Sequence, residues 1–476
     1  MMIKVYLNDM KFRYEVFQII NLYYTLENIV FVDEEGDINI IIDDKKIIIS
    51  SYNNKFEFIK DYKLTSKESI NLALFSFLKN ATNKEFPWGT LIGIRPSKIA
   101  LSLIQNGKTE EEIIKYYKEH YNTKLNKAKL CIDIAKSEEK FINKDSNTIS
   151  IYIGMPFCPT RCLYCSFTSN PISRCNKLVN PYLVALKKEI STIINFIKEK
   201  NLKIQCVYFG GGTPTSINDY EFYDIMEFIY DNLINKMDIQ EFTVECGRPD
   251  SITENKLKTM KKFEVDRISI NPQTMNDDTL KKIGRNHTSL DVVDKFNLAR
   301  ELGFSNINMD IIVGLMGEKL EHINKTCKKI KELNPDSITV HGLSIKRASK
   351  LHENLINKNK LEELSQKEIN DMYEETVLLA NDLNMKPYYM YRQKNMFGNM
   401  ENIGYAKQRK ESIYNIQMIE EKQSIIAFGA DAVSKIVFLD ENRIERFANI
   451  KDVNEYINRI DEMINKKINL LKSLYN

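Results

Sequence analysis

The stretch IYIGMPFCPTRCLYCSFTS, residues 151–169, sets three cysteines, Cys158, Cys162 and Cys165, within eight positions behind an apolar, β-branched run. Such a run reads as a buried strand, so the thiols fall on the loop that leaves it. One cysteine alone is an ordinary core residue. Three on a loop that also carries Pro159 and Arg161 call for a shared partner. Structural zinc takes four ligands, often as paired Cys-x2-Cys units, and no second pair or nearby His completes a set here. A [4Fe–4S] cube is closed by four thiolates, so three would leave one iron open. An open metal position marks chemistry rather than scaffolding, an argument carried over from zinc sites.

The chain around this loop alternates strand and helix. ISIYIGM, IQCVYFGG, QEFTVECG, RISINPQ, NINMDIIVGL and SITVHGL read as strands, each followed by a helical pattern and joined by short connections. That rhythm makes parallel β/α units. The predicted fold class is α/β, with a partial (β/α)6 TIM-like barrel over residues 148–349. The motif residues sit where strands end, the rim on which such folds build their sites. Residues 1–147 are predicted as a separate α+β domain. It starts with the strand IKVYLN and the helix RYEVFQIINLYY, continues with two strands around a Gly36 turn, and ends in helices from about Ser66 to Ser137. Residues 350–476 are expected to form a mixed, largely helical region covering the substrate.

Composition bounds the function. Of 476 residues, 43% are hydrophobic and 28% charged, as in globular domains, and the length suggests two or three of them. The net charge is only +3 and no long block is strongly basic, so a duplex nucleic-acid partner is not expected. The N-terminus has no apolar signal region and no long apolar run spans a membrane. With five of the eight cysteines scattered singly, a secreted disulfide framework is also not expected, and the reading is cytoplasmic.

The spacing Cys-x3-Cys-x2-Cys resembles the radical S-adenosylmethionine (SAM) enzymes. The resemblance implies a [4Fe–4S] cluster on Cys158, Cys162 and Cys165, with SAM chelating the open iron and being cleaved to a hydrogen-abstracting 5′-deoxyadenosyl radical. The aromatic residue before the last cysteine, Tyr164, would lie near SAM. FGGGTPT, residues 209–215, lacks the Gly-Lys-Ser/Thr of a nucleotide phosphate loop. In the family it meets the SAM amino group, through Gly211, Gly212 and Thr213 here. Within the superfamily the chain is similar to the oxygen-independent coproporphyrinogen III oxidases. By that resemblance Tyr152, Glu245, Gln273, Arg285 and Asp310 complete the SAM contacts. Carboxylates and amides suit a ribose diol, and arginine forks onto a carboxylate.

The motifs PWGTLIGIRPSKIA, VHGLSIKRAS and YRQKNMFGNMENIGYAK resemble the HemZ-type coproporphyrinogen dehydrogenases. The implied reaction turns two propionates of coproporphyrinogen III into vinyl groups, giving protoporphyrinogen IX, with a flavodoxin or ferredoxin as reductant. A HemW-like haem carrier and another tetrapyrrole radical enzyme are the alternatives. Two departures from the HemN branch stand out. Phe167 replaces a further cysteine, and an unrelated domain precedes the barrel. Ser344 matches a second-SAM region weakly. Arg347, Arg392 and Lys394 are candidate partners for propionates, His341 for the cavity, and Trp88 for a domain interface.

Overall fold

The computed structural model describes residues 2–24, 28–52, 54–165, 170–344, 364–393 and 396–475, with Phe397 described by its backbone alone. Arg347, Lys394 and Phe167 lie outside the described residues. Two compact units result. The first joins Met1–Lys136 with Leu364–Asp371 and Tyr391–Glu401; the second joins Ser137–Glu363, Met372–Met390 and Asn402–Asn476. Residues after 349 are thus shared between the two.

The first unit carries a sheet of β1 (Met2–Leu7), β2 (Asn28–Val32), β3 (Ile38–Ile42), β4 (Lys46–Ser51) and β5 (Asn54–Ile59), in the order β2-β1-β3-β4-β5. Helices Arg13–Tyr23 and Ser66–Thr82 bury Ile19, Ile20, Leu74 and Phe75 in the same core. Thr65 starts the second helix with a reciprocal capping box to Glu68, which satisfies two end donors.

Gly36 does not turn a hairpin, as the sequence suggested. Three strands, not two, occupy that stretch, and β1 lies between β2 and β3, parallel to both. A Cβ on Gly36 would stand 2.7 Å from the Lys4 carbonyl oxygen, so the glycine serves a close approach to β1. The hairpin lies later, at Asp43, whose carboxylate accepts from the backbone N–H of Lys45 and Lys46.

Trp88 is wholly buried in the first unit, and its partners Glu401 and Arg392 come from the segment after residue 349. Its indole N–H donates to Glu401 Oε2 at 2.7 Å, and the Arg392 guanidinium sits 4.6 Å from its ring. Arg392 is buried too. It donates to the carbonyls of Leu91 and Asn399 and to the Asn399 side chain, so it is a core staple rather than a propionate ligand.

The second unit holds the expected barrel strands β6 (Thr148–Met155), β9 (Lys203–Gly211), β10 (Glu241–Glu245), β11 (Arg267–Ser269), β12 (Ile307–Val313) and β13 (Ser337–Gly342). They pair in chain order and all in parallel. Between β6 and β9 a short pair, β7 (Phe157–Cys158) and β8 (Asn170–Pro171), brackets the cysteine loop. Strands buried on both faces read as near-continuous apolar runs, and every residue of β12 except Asp310 is buried. Beyond β13 the sheet continues with β15 (Asn402–Ala406) and β14 (Lys386–Tyr391). On the other side it continues from β6 with β16 (Ser424–Phe428), β17 (Val433–Phe438) and β18 (Arg443–Ala448).

The helix Ile413–Glu420 closes the end of the barrel where its strands begin. Glu241, at the start of β10, accepts from the Ile413 N–H and the Ser412 hydroxyl, and Gln417 donates to Gln205 near the start of β9. Tyr414 then stacks on Tyr208 inside the barrel, with ring centroids 4.4 Å apart.

Candidate functional site

At the opposite end, where the strands finish, the chain gathers its polar residues. β6 delivers Tyr152 and then the cysteine loop. Cys158 and Cys162 are buried and Cys165 is half-buried. The loop is tied to the turn after β11: Leu163 N–H donates to Ile283 O at 3.0 Å, and the Thr160 hydroxyl donates to Gly284 O at 2.8 Å. An apolar patch of Leu280, Ile283, Ile312, Leu315 and Leu343 packs beside Tyr164.

β9 ends in the glycine turn. Gly211 has φ +102°, a backbone that glycine adopts without strain. A Cβ on Gly212 would meet the carbonyl oxygens of Phe157 and Met155 and lie 3.0 Å from Cys158 Sγ, so only glycine lets this turn lie against the cysteine loop. The N–H groups of Gly211, Gly212 and Thr213 are spent within the protein, on Glu245, Met155 O and Phe157 O. The Thr213 hydroxyl donates toward Cys158 Sγ at 3.5 Å.

β10 ends in Glu245, which accepts from the Tyr208 hydroxyl and from Gly211 N–H at 3.2 Å. Burial pushes its carboxyl up to about 7; the Tyr208 hydrogen bond opposes that and the Asp310 charge adds to it. Tyr152 and Tyr208 stack at 6.2 Å, so the inner wall beside Glu245 is aromatic. Gln273, after β11, holds φ +65°. Its N–H donates to Asp310 O and its carbonyl accepts from Ile312 N–H, which locks the residue against β12. Its side-chain Oε1 is buried with no hydrogen-bond partner among the described residues. A non-glycine residue in that conformation carries local strain of the kind found at functional sites.

Arg285 reaches back toward the cysteine loop. It donates to Asn271 O at 2.6 Å and to the Tyr164 hydroxyl at 3.2 Å, while its Nε is buried with no hydrogen-bond partner among the described residues. Asp310, on β12, accepts from Asn308 at 2.7 Å and faces His341 Nε2 at 3.6 Å. Burial alone would raise its carboxyl; His341 and Asn308 more than offset that and hold it below the ordinary range. His341 is half-buried on β13, and Ser344 is half-buried two residues past that strand.

The cofactors that the resemblance implies ask for three thiolates and for partners to an amino-acid nucleoside. Among the described residues, no three His, Cys, Asp or Glu side chains form a group that would hold a single metal ion. A cube binds each thiolate to a different iron, so it asks for a looser trio than a mononuclear ion does. Burial first, then the Cys165 and Cys162 charges, push the Cys158 thiol up to about 12. Soft thiolates favour iron–sulfur chemistry. The orphaned Gln273 Oε1 and Arg285 Nε match the amine, diol and carboxylate of an amino-acid nucleoside. The residues fit both groups.

Sequence reasoning missed several residues of this end. Tyr208 reads as strand core, and Tyr414, Arg248, Asn271 and His287 belong to none of the motifs above. The one signal available was position: Arg248 falls three residues beyond Glu245 at a strand end.

Comparison with known proteins agrees with this geometry. Residues 152–330 match the radical SAM superfamily model. The oxygen-independent coproporphyrinogen-III oxidase-like protein HemZ of Bacillus subtilis is 38% identical over 416 residues, covering 86% of this chain and 82% of that protein. The heme chaperone HemW of the same organism is 32% identical, covering 66% of this chain and 76% of that protein. Among solved structures, the coproporphyrinogen III oxidase HemN of Escherichia coli shares the fold. It has a TM-score of 0.54 and 21% identity, over 68% of this chain and 72% of that one. No helix among the described residues is long and apolar enough to cross a membrane. The chain belongs to the radical SAM superfamily, whose cofactors are a [4Fe–4S] cluster and SAM, and within it to the HemN/HemZ family.

Proposed function

We propose that the chain oxidatively decarboxylates two propionates of coproporphyrinogen III to vinyl groups, giving protoporphyrinogen IX in the cytoplasm. Cys158, Cys162 and Cys165 hold the cluster. Tyr152, Tyr164, Gly211, Gly212, Thr213, Glu245, Gln273, Arg285 and Asp310 hold SAM. When bound, the two supply one electron and an adenosyl radical able to take a hydrogen atom from a propionate β-carbon. Loss of CO2, with one electron passed to an external acceptor, then leaves the vinyl group. The glycine turn, its N–H groups already spent, meets the SAM ammonium through acceptor oxygens. Glu245, Gln273 Oε1 and Asp310 accept from the ribose diol, and Arg285 forks onto the carboxylate. The apolar patch beside Tyr164 keeps water from the cluster. Flavodoxin or ferredoxin fits the role of electron donor.

The observation that carries the substrate assignment is the extent of the likeness. The HemZ match covers 86% of this chain, more than residues 148–476 could supply, so it runs into the first unit. The HemW match covers 66%. The test is an anaerobic assay of the reconstituted protein with SAM, dithionite and coproporphyrinogen III. The expected products are 5′-deoxyadenosine, CO2 and, after oxidation, protoporphyrin. Replacing Cys162 by Ala should abolish SAM cleavage and leave far-UV circular dichroism unchanged. Haem binding at a Soret band with SAM left intact would make the protein a carrier instead. SAM cleavage without a vinyl product would remove this substrate.

A further inference from the structure

Arg248 lies beside the cysteine loop, only 3% exposed, and every guanidinium nitrogen has an acceptor. Nε and Nη2 fork onto Asp250 at 2.9 and 2.7 Å. Nη1 turns to the loop and donates to the Thr160 hydroxyl at 3.0 Å, to the Thr160 carbonyl at 3.4 Å and to Cys162 Sγ at 3.5 Å. His287 stands behind, its Nδ1 3.7 Å from Asp250 and its side chain fully buried. Both Asp250 oxygens accept from Arg248, and the Arg248 carbonyl accepts from the Ser251 hydroxyl at 2.8 Å. Swinging the fork away from the loop would break both of its hydrogen bonds to the partly exposed Asp250 carboxylate.

We propose that Arg248, held by Asp250, is a positioning and tuning residue for the cluster, donating a charged hydrogen bond to the Cys162 thiolate. The inference rests on the cluster reading above. A hydrogen bond and a positive charge at a ligating sulfur stabilise the more negative, reduced cluster, so they raise its potential. Cys162 is the middle ligand of the loop, and Arg248 reaches it from a different strand. The same side chain holds Thr160, two residues before that ligand, so one guanidinium contacts both the loop and the ligating sulfur.

The test uses the full chain, reconstituted anaerobically with iron and sulfide, without SAM. Iron and sulfide content are measured first. Dithionite titration followed by electron paramagnetic resonance then gives the midpoint potential. Arg248→Met should move the midpoint to a more negative value than wild type. Arg248→Gln, which keeps a donor but no charge, should move it the same way by less. A purely structural staple would change unfolding temperature or iron content and leave the midpoint in place. Wild type that takes up no iron and sulfide overturns the cluster reading and this inference with it. Wild type that loads a cluster, with both variants loaded and their midpoints unmoved or raised, overturns the role of Arg248 alone. If Arg248→Met does not fold, the midpoint of Arg248→Gln decides between the same two outcomes.

Discussion

Two glutamates, one in each unit, the first buried and the second half-buried, show what separates structural polarity from functional polarity in this chain. Glu401, in the first unit, is 1% exposed and pairs with the Lys127 ammonium, itself 7% exposed, while the Trp88 indole donates to its other oxygen. Burial alone would raise its carboxyl, but Lys127, Trp88 and Arg392 overcome that and hold it below the ordinary range. Glu245, at the barrel's open end, also suffers burial, yet its partners are a phenol, a backbone N–H and a repelling aspartate. Its carboxyl is left at about 7. A group whose protonation is left in the balance inside a cleft is where ligands with donors are read.

The comparison breaks most visibly if the Glu401 cluster is not closed. Lys127→Met removes the cation and leaves a buried carboxylate uncompensated, which should destabilise the protein by about 3–5 kcal/mol. Urea unfolding of the full chain measures it. Adding Glu401→Gln to Lys127→Met should recover much of the loss, because the stranded charge is then gone too. If Lys127→Met unfolds like wild type, Glu401 is not the closed counterpart that the comparison requires.

Glu245→Gln should act in the opposite sense. With the folded value raised to about 7 from 4.5, the native state holds a proton that the unfolded chain releases between those values. The stability this group contributes is present below about pH 4.5 and is lost as pH rises through about 7. The glutamine carries no such term. Apo Glu245→Gln should therefore match wild type near pH 4.5 and exceed it at pH 8 by on the order of 2 kcal/mol, while binding SAM less well. Equal urea midpoints at both pH values would show that Glu245 is not held in a disfavoured charge state.

The barrel was legible because its strands are buried on both faces and each is followed by a helical repeat, so period alone marks them. Strands such as Lys386–Tyr391 and Arg443–Ala448 were not legible, because their place depends on a distant partner edge that no local pattern encodes. Gly36 misled for the same reason. A glycine beside acidic residues reads as a turn, whereas here it answers to a carbonyl of another strand. The cysteine loop and the glycine turn could be located because their spacing is local. Arg248 and Tyr208 could not, since each acquires its meaning from a residue distant in sequence, Cys162 and Glu245 respectively.

Tyr208→Phe gives the finest test of what sets Glu245 apart. The substitution removes one hydroxyl and keeps a ring to stack on Tyr414, so packing in the barrel is largely preserved. The lost hydrogen bond favours the charged carboxylate, so its removal should carry the Glu245 value above about 7. The pH at which the stability term is lost should then move upward, with a change of about 1 kcal/mol at pH 8. Urea midpoints of apo wild type and variant, taken every half unit between pH 5 and 9, resolve that edge. An edge that stays in place would mean that burial and Asp310 alone govern Glu245, and that the phenol is there for its ring. An edge that moves would assign the tyrosine the part played by Lys127 at Glu401, supplied by a neutral donor that leaves the carboxylate only half compensated.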